Sequence, residues 1–232
     1  MAPVRTGSIT LIQSSDQNPA AQNITVPADA TLCLVAAGYF NSTTGMDFTT
    51  LTLNGVAFTS VGAQNNTTEV GYANMWVLAN PATGIQSLDW AWSNAPSLGA
   101  NIFVVFYKDA DTSAPIRGFD VQAGVGWDDT ITTDAFATSV DDTVLCIGYG
   151  GGPVDAAAGA GQTEIADSGQ FNFSYAALGE KAGVAGTTTM AVYGSQVAIV
   201  ACSIKPGAAG PTYGPMVKNP DFRAFPKPGM RT

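Results

Sequence analysis

Apolar and polar residues alternate with a period of two over short stretches of this chain, and clusters of Gly, Pro, Asn and Asp interrupt them every 10 to 15 residues. No stretch carries apolar residues at i, i+3, i+4 and i+7 for long enough to make a helix, so the pattern predicts an all-β protein. Strands are expected over residues 7–13, 32–40, 48–53, 56–62, 71–78, 85–93, 102–108, 119–121, 130–135, 143–149, 163–167, 171–177, 187–193 and 196–204. Asn54-Gly55, between TLTL and VAFTSV, gives the strongest hairpin signal, because a type I′ turn needs positive φ at both central residues. The glycines at 150–152 and the Ala/Gly-rich residues 155–161 predict the longest loop, one that packing does not fix.

Compared with itself, the chain shows a similar order of features twice, at an offset of roughly 95 to 112 residues. The first half reads DATLCLVAAGY, FTSVGA, GYANMWVL, PATGIQSLDWAW and ANIFVVFYKDADTSAP. The second reads DDTVLCIGYGG, TEIADS, FSYAAL, VAGTTTMAVYG and SQVAIVACSIKPGAAGP. Each half holds a polar turn, a strand with a Cys, a Gly-turn strand pair and an apolar strand that ends in a Pro. This predicts an N-terminal segment (1–23), a β-sandwich (24–204) with pseudo-repeat halves of about 24–115 and 116–204, and a C-terminal arm (205–232). The two halves could face one another as the two sheets of one sandwich, or interleave as a jelly roll; either arrangement limits edge-to-edge association.

Composition narrows the chemistry. The 232 residues contain no His, which excludes a Ser-His-Asp or Cys-His nucleophile pair, a His-ligated metal and a His general base. Three Cys cannot build a disulfide framework. Charged residues make up 12% of the chain, about half the usual share, while apolar residues reach 46%, the profile of a core-forming chain with a weakly charged surface. The formal charge of −9 is unevenly placed: residues 1–204 hold 4 basic and 17 acidic residues, and residues 205–232 hold 5 basic and one acidic. An acidic body repels nucleic-acid phosphate and anionic lipid, so neither is an expected partner. The start of the chain lacks the apolar stretch of a secretory signal, and no apolar run approaches 18 residues, so synthesis in a host cytoplasm without export is expected.

The VPADAT turn before an apolar strand, the LTLNGVAFTSV hairpin, the MWVLANPATGIQSLDWAWS pair and the later FVVFYKDADTSAP together resemble jelly-roll or lectin-like β-sandwich domains of bacteriophage virion proteins and some bacterial surface proteins. The resemblance spans about residues 24–206 and rests on pattern. It implies a jelly-roll-like antiparallel β-sandwich with a role in assembly or attachment in the virion. It supplies no functional residues, since members of the group share no one set.

Candidate chemistry is sparse. The Asp109/Asp111 pair begins a calcium-loop-like spacing that places Asp120 twelfth, but Ala114 stands where the turn glycine belongs and Pro115 and Arg117 fill ligand slots. An acidic turn is the simpler reading. Asp128 and Asp129 are adjacent on an extended chain and point to opposite faces, so they would not converge as glycosidase carboxylates. Asp141/Asp142 is the remaining pair. Cys33, Cys146 and Cys202 lie in apolar strands without a flanking cation and read as buried, inert thiols. No enzymatic activity, cofactor or metal is expected.

Trp90, Trp92 and Trp127 are candidate glycan contacts, because flat aromatic faces stack on sugar rings. In LDWAWS, however, Leu88, Trp90 and Trp92 share one strand face, and Leu88 there favours the core. After Ile204 the chain holds six of its thirteen prolines, a composition unsuited to a sheet centre or a helix. As polyproline, the 27 residues from Pro206 reach up to roughly 80 Å. Tyr213, Met216, Val217, Phe222 and Phe225 would then plug apolar pockets while Arg223, Lys227 and Arg231 meet acidic rims. The expected role is a non-enzymatic virion structural protein, a capsid decoration or cement protein that forms a homotrimer and contacts the major capsid or tail protein through this arm. The alternative is a tail or fibre domain that binds a receptor or host-surface glycan.

Overall fold

A computed structural model describes residues 1–40, 48–65, 71–95, 99–123, 129–151, 157–169, 171, 174–194 and 198–208. Every regular element among them is a strand. The first half contributes β1 (Val4–Ser14), β2 (Gln22–Val26), β3 (Leu32–Phe40), β4 (Phe48–Leu53) and β5 (Val56–Ala57). It continues with β6 (Thr59–Asn65), β7 (Gly71–Ala79), β8 (Gly84–Trp92) and β9 (Ala100–Lys108). In the second half come β10 (Ile116–Ala123), β11 (Asp129–Thr132), β12 (Phe136–Thr138), β13 (Thr143–Gly151) and β14 (Ala157–Ala158). β15 (Thr163–Asp167), β16 (Ser174–Ala182), β17 (Gly186–Thr188), β18 (Ala191–Gly194) and β19 (Ala198–Ile204) complete it.

Each half closes on itself. In the first, one sheet runs β1-β9-β3-β7-β6 and the other β2-β8-β4-β5. With β5 and β6 taken as one strand that passes from one sheet to the other, these are the orders 1-8-3-6 and 2-7-4-5 of an eight-stranded jelly roll. The second half repeats the plan: β10-β19-β13-β16-β15 forms its large sheet, while β12-β17 and β11-β18-β14 together cover one face of it. The internal repeat therefore holds at the level of strand pairing. The halves are not the two sheets of one sandwich; each is a sandwich of its own, and the two stack in four layers with the large sheets inside. β1, in the segment set apart as 1–23, is an integral strand of the first large sheet, paired antiparallel with β9 from Val4↔Lys108 to Ser14↔Ala100.

Three cores follow from four layers. Leu88, Trp90, Trp92, Leu51 and Leu53 of the first outer sheet pack on Cys33, Val35, Ile102 and Val104. Leu34, Phe103 and Val105 of the first inner sheet meet Leu145, Ile147, Tyr149 and Val200 of the second. Val144, Cys146, Ile199 and Ala201 then meet Met190 and Val192 on the far side. Central strands of the two middle layers are covered on both faces, so β9 is buried at every position from Ala100 to Tyr107 and β19 is buried throughout, while the edge strands β1, β10 and β15 stay partly exposed. Outer strands alternate instead, as β8 does from Ser87 to Trp92.

Two local features match the residues that form them. Asn54 and Gly55 take φ values of 49° and 79°, the I′ turn that joins β4 to β5. Gly38 of β3 faces the second half at close quarters, and a Cβ there would stand 2.7 Å from Cδ2 of the fully buried Tyr149. The stretch read as an unfixed loop is corrected at Gly150 and Gly151, which end β13 opposite Tyr175 and Ser174, and over 157–161. Ala157 and Ala158 pair with Tyr193 and Val192, and the Gly159 N–H donates to Ala191 O at 2.9 Å. Residues 152–156 lie outside the described residues. In urea unfolding, Gly38→Ala is expected to lose about 2 kcal/mol through overpacking and Gly55→Ala about 1 kcal/mol through its left-handed φ; unchanged midpoints would contradict this geometry.

Candidate functional site

The connection between the sandwiches and the exit of the chain are one structure. Residues 109–115 run from β9 to β10, and the backbone after β19 pairs with them: Asp111 N–H donates to Lys205 O at 2.9 Å, Lys205 N–H to Pro115 O at 2.7 Å and Gly207 N–H to Asp109 O at 2.7 Å. Lys205 Nζ lies 3.2 Å from Asp111 Oδ2. Asp111 Oδ1 accepts from Ser113 Oγ, Ser113 N–H and Ala114 N–H at 2.7, 2.8 and 3.3 Å, and these donors with Lys205 hold its carboxyl well below the usual range. Asp120 Oδ2 instead accepts from Gln122 Nε2 and from the Asp134 N–H. The spacing that resembled a calcium loop thus forms an acidic turn closed by its own donors. Among the described residues no group of three or more Cys, Asp or Glu is placed to hold a metal ion.

Beside this junction lies a groove of about 320 Å³. Thr59, Ser60, Val61 and Val77 of the first sandwich form one wall, and residues 114–119 of the second form the other. It opens where β6 and β10, each the terminal strand of its sheet, come together. Phe119 stands half in solvent there, 51% exposed, with its ring against Gly62. Arg117, in the same wall, pairs its guanidinium with Asp142, with Nε to Oδ2 at 2.7 Å and Nη2 to Oδ1 at 3.2 Å. Asp142 is buried and also accepts from Ser203 Oγ at 2.7 Å and Ser139 N–H at 2.9 Å. Burial alone would raise this carboxyl; Arg117, Ser203 and Ser139 outweigh it and keep Asp142 below its ordinary value. Sequence inspection missed both the lock and the groove. Arg117, one of four cations before Lys205, was the available signal, since an isolated cation in a strand calls for a partner.

The two halves are joined by polar contacts at both ends of β9. Asn101 Nδ2 donates to Ser174 Oγ at 3.0 Å, and the Tyr107 hydroxyl donates to Glu180 Oε2 at 3.0 Å, where Arg5 Nη1 also approaches to 3.6 Å. Burial, reinforced by the Glu180 charge, pushes the Tyr107 phenol well above its usual value.

Trp90 and Trp92 face inward, 4% and 1% exposed, as the position of Leu88 favoured. Trp92 stacks on Phe48 with centroids 3.7 Å apart and lies 4.8 Å from Tyr39. Neither indole N–H meets a partner among the described residues. Neither ring forms an outward strip for a glycan. Trp127, and with it Asp128, lies outside the described residues, as do all the arm residues from Tyr213 to Arg231. Cys33, Cys146 and Cys202 are buried free thiols; burial pushes Cys146 up to about 12 and the other two higher still.

Comparison with known proteins found no matching family, no matching curated protein and no matching solved structure.

Because Asp142 titrates lower in the folded than in the unfolded chain, where carboxyls ionise near 4, its ionised form contributes stability above about pH 4 that is lost as pH falls through the folded value. Asp142→Asn is expected to cost about 3 kcal/mol at pH 7 and to flatten the acid limb of a stability-versus-pH curve; an acid limb as steep as the parent's would contradict it. A chromogenic thiol reagent should find all three cysteines silent in the native protein and titrate three after denaturation.

Proposed function

We propose that the chain is a non-enzymatic structural protein of a bacteriophage virion, a head-surface protein of the capsid decoration or cement kind that joins the particle through its C-terminal arm. The observation that carries this reading is the distribution of cations. All five described ones are engaged inside the body: Arg5 with Glu180, Lys108 with Asp29, Arg117 with Asp142, Lys205 with Asp111, and Lys181 with the carbonyl of Thr189. The remaining four, Lys218, Arg223, Lys227 and Arg231, all belong to the proline-spaced segment beyond the last strand. A body that has used its cations internally and an appendage that holds the rest are complementary, which suits attachment of one copy to another or to a neighbouring acidic surface.

The fold supports the same reading by fixing the exit. The backbone of Lys205 and Gly207 is hydrogen-bonded to the linker between the halves, so the arm starts from a defined point beside it. Truncation after Ala208 retains these contacts. Such a chain should keep the melting temperature of the parent yet lose its place in assembled particles, measured by its stoichiometry in purified virions. Full occupancy by the truncated chain would defeat the proposal.

A further inference from the structure

We propose that the groove between β6 and β10 receives the C-terminal arm of a second copy of this chain, with an aromatic side chain of the segment 211–225 seated against Phe119. The inference rests on the assembly role above and adds the receptor to it. The groove is apolar at its floor, where Val61 and Val77 are 8% and 6% exposed, and its lip is Phe119. Phe119 by itself would be an ordinary exposed side chain, but at the junction of two sheet edges it adds exposed apolar surface to the floor of Val61 and Val77. The orders of both large sheets end here, so β6 and β10 also present backbone groups that no described strand pairs. Apolar slots beside sheet edges bind extended peptides, and aromatic-lined grooves accept proline-rich ones, whose stiffness lowers the entropy lost on binding.

The arm has the matching chemistry. Tyr213, Met216, Phe222 and Phe225 are set among prolines at 211, 215, 220 and 226. At about 3.1 Å per residue in a polyproline conformation, Tyr213 and Phe222 stand roughly 28 Å apart, so one anchor can fill the groove while the flanking cations reach its surroundings. Asp120, which follows Phe119 on β10 and so points to the other face of that edge strand, and Asp134, whose N–H it accepts, lie outside the groove lining and have no ion-pair partner among the described residues.

The direction of the exit favours another copy over the same chain. Ile204 still lies opposite Ile116, but Pro206 is already opposite Ala110 and Gly207 is bonded to Asp109, just beyond the end of β9. In the first large sheet β9 stands three places from β6, so the chain leaves while moving away from its own groove.

The test uses the full-length chain with a photo-crosslinking phenylalanine analogue at position 119, prepared in equal light and heavy isotopic forms, together with Phe119→Asp. The expected result is crosslinking of position 119 to residues 211–225 in mixed light-heavy pairs, and at least a tenfold weakening of self-association by Phe119→Asp in sedimentation velocity. Crosslinks only within one isotopic form would overturn the second copy as occupant, and crosslinks elsewhere or none would overturn the groove. If truncation after Ala208 removes the protein from particles while Phe119→Asp leaves self-association unchanged, the groove assignment fails and the assembly role stands. If truncation removes nothing, the assembly role itself fails.

Discussion

Face-to-face packing of the two large sheets is the constraint on which the rest of the molecule depends. Each half has the strand order of a jelly roll, but a jelly roll alone would leave the outward face of its large sheet in water. Here that face carries Leu32, Leu34, Phe103, Val105 and Tyr107 in one half and Leu145, Ile147, Tyr149, Val200 and Ile204 in the other. Two such faces are satisfied only by each other. The close approach of Gly38 to the Tyr149 ring shows how little room the contact leaves.

That contact also sets where polar groups can lie. Polar side chains between the middle layers favour partners, and Asn101 with Ser174 and Tyr107 with Glu180 are among the pairs that cross from one half to the other, as does the Thr143 hydroxyl that donates to Pro3 O. The chain enters its second half through 109–115 and leaves it along the same residues, so linker and exit share one set of backbone hydrogen bonds. Asp142, buried on the second half alone, is held by Arg117 from β10 and Ser203 from β19 and thereby ties the linker's first strand to the last. The groove arises from the same geometry: two stacked sheets that end at β6 and β10 leave a slot between their terminal strands.

Much of the secondary structure was legible because turn chemistry and alternation are local. The strands at 32–40, 48–53 and 163–167 begin and end where the residues predict, and Asn54-Gly55 makes its turn. Short strands were not legible. β2 offers only Ile24 and Val26 as inward residues, β12 is three residues long, and β14 consists of two alanines that become strand only because β18 supplies a partner. Of the candidate side chains, the tryptophans of LDWAWS announced their inward face through Leu88, whereas Phe119 gave no such sign and Arg117 signalled a need for a partner without saying which, since groove and lock both join segments apart in sequence.

By itself, the sequence determined the all-β class, the duplication, the absence of histidine chemistry and the division between an acidic body and a basic proline-spaced arm, because these follow from composition and from periods of two residues. Only the tertiary structure decided that the halves are two sandwiches stacked in four layers. The continuous apolar runs of ANIFVVFY and AIVACSI mark strands covered on both faces, but a run alone does not say what covers it. Which sheet lies against which is fixed by side-chain complementarity across the middle core. That packing also brought two distant strands together at the groove, while contacts within the second half buried Asp142.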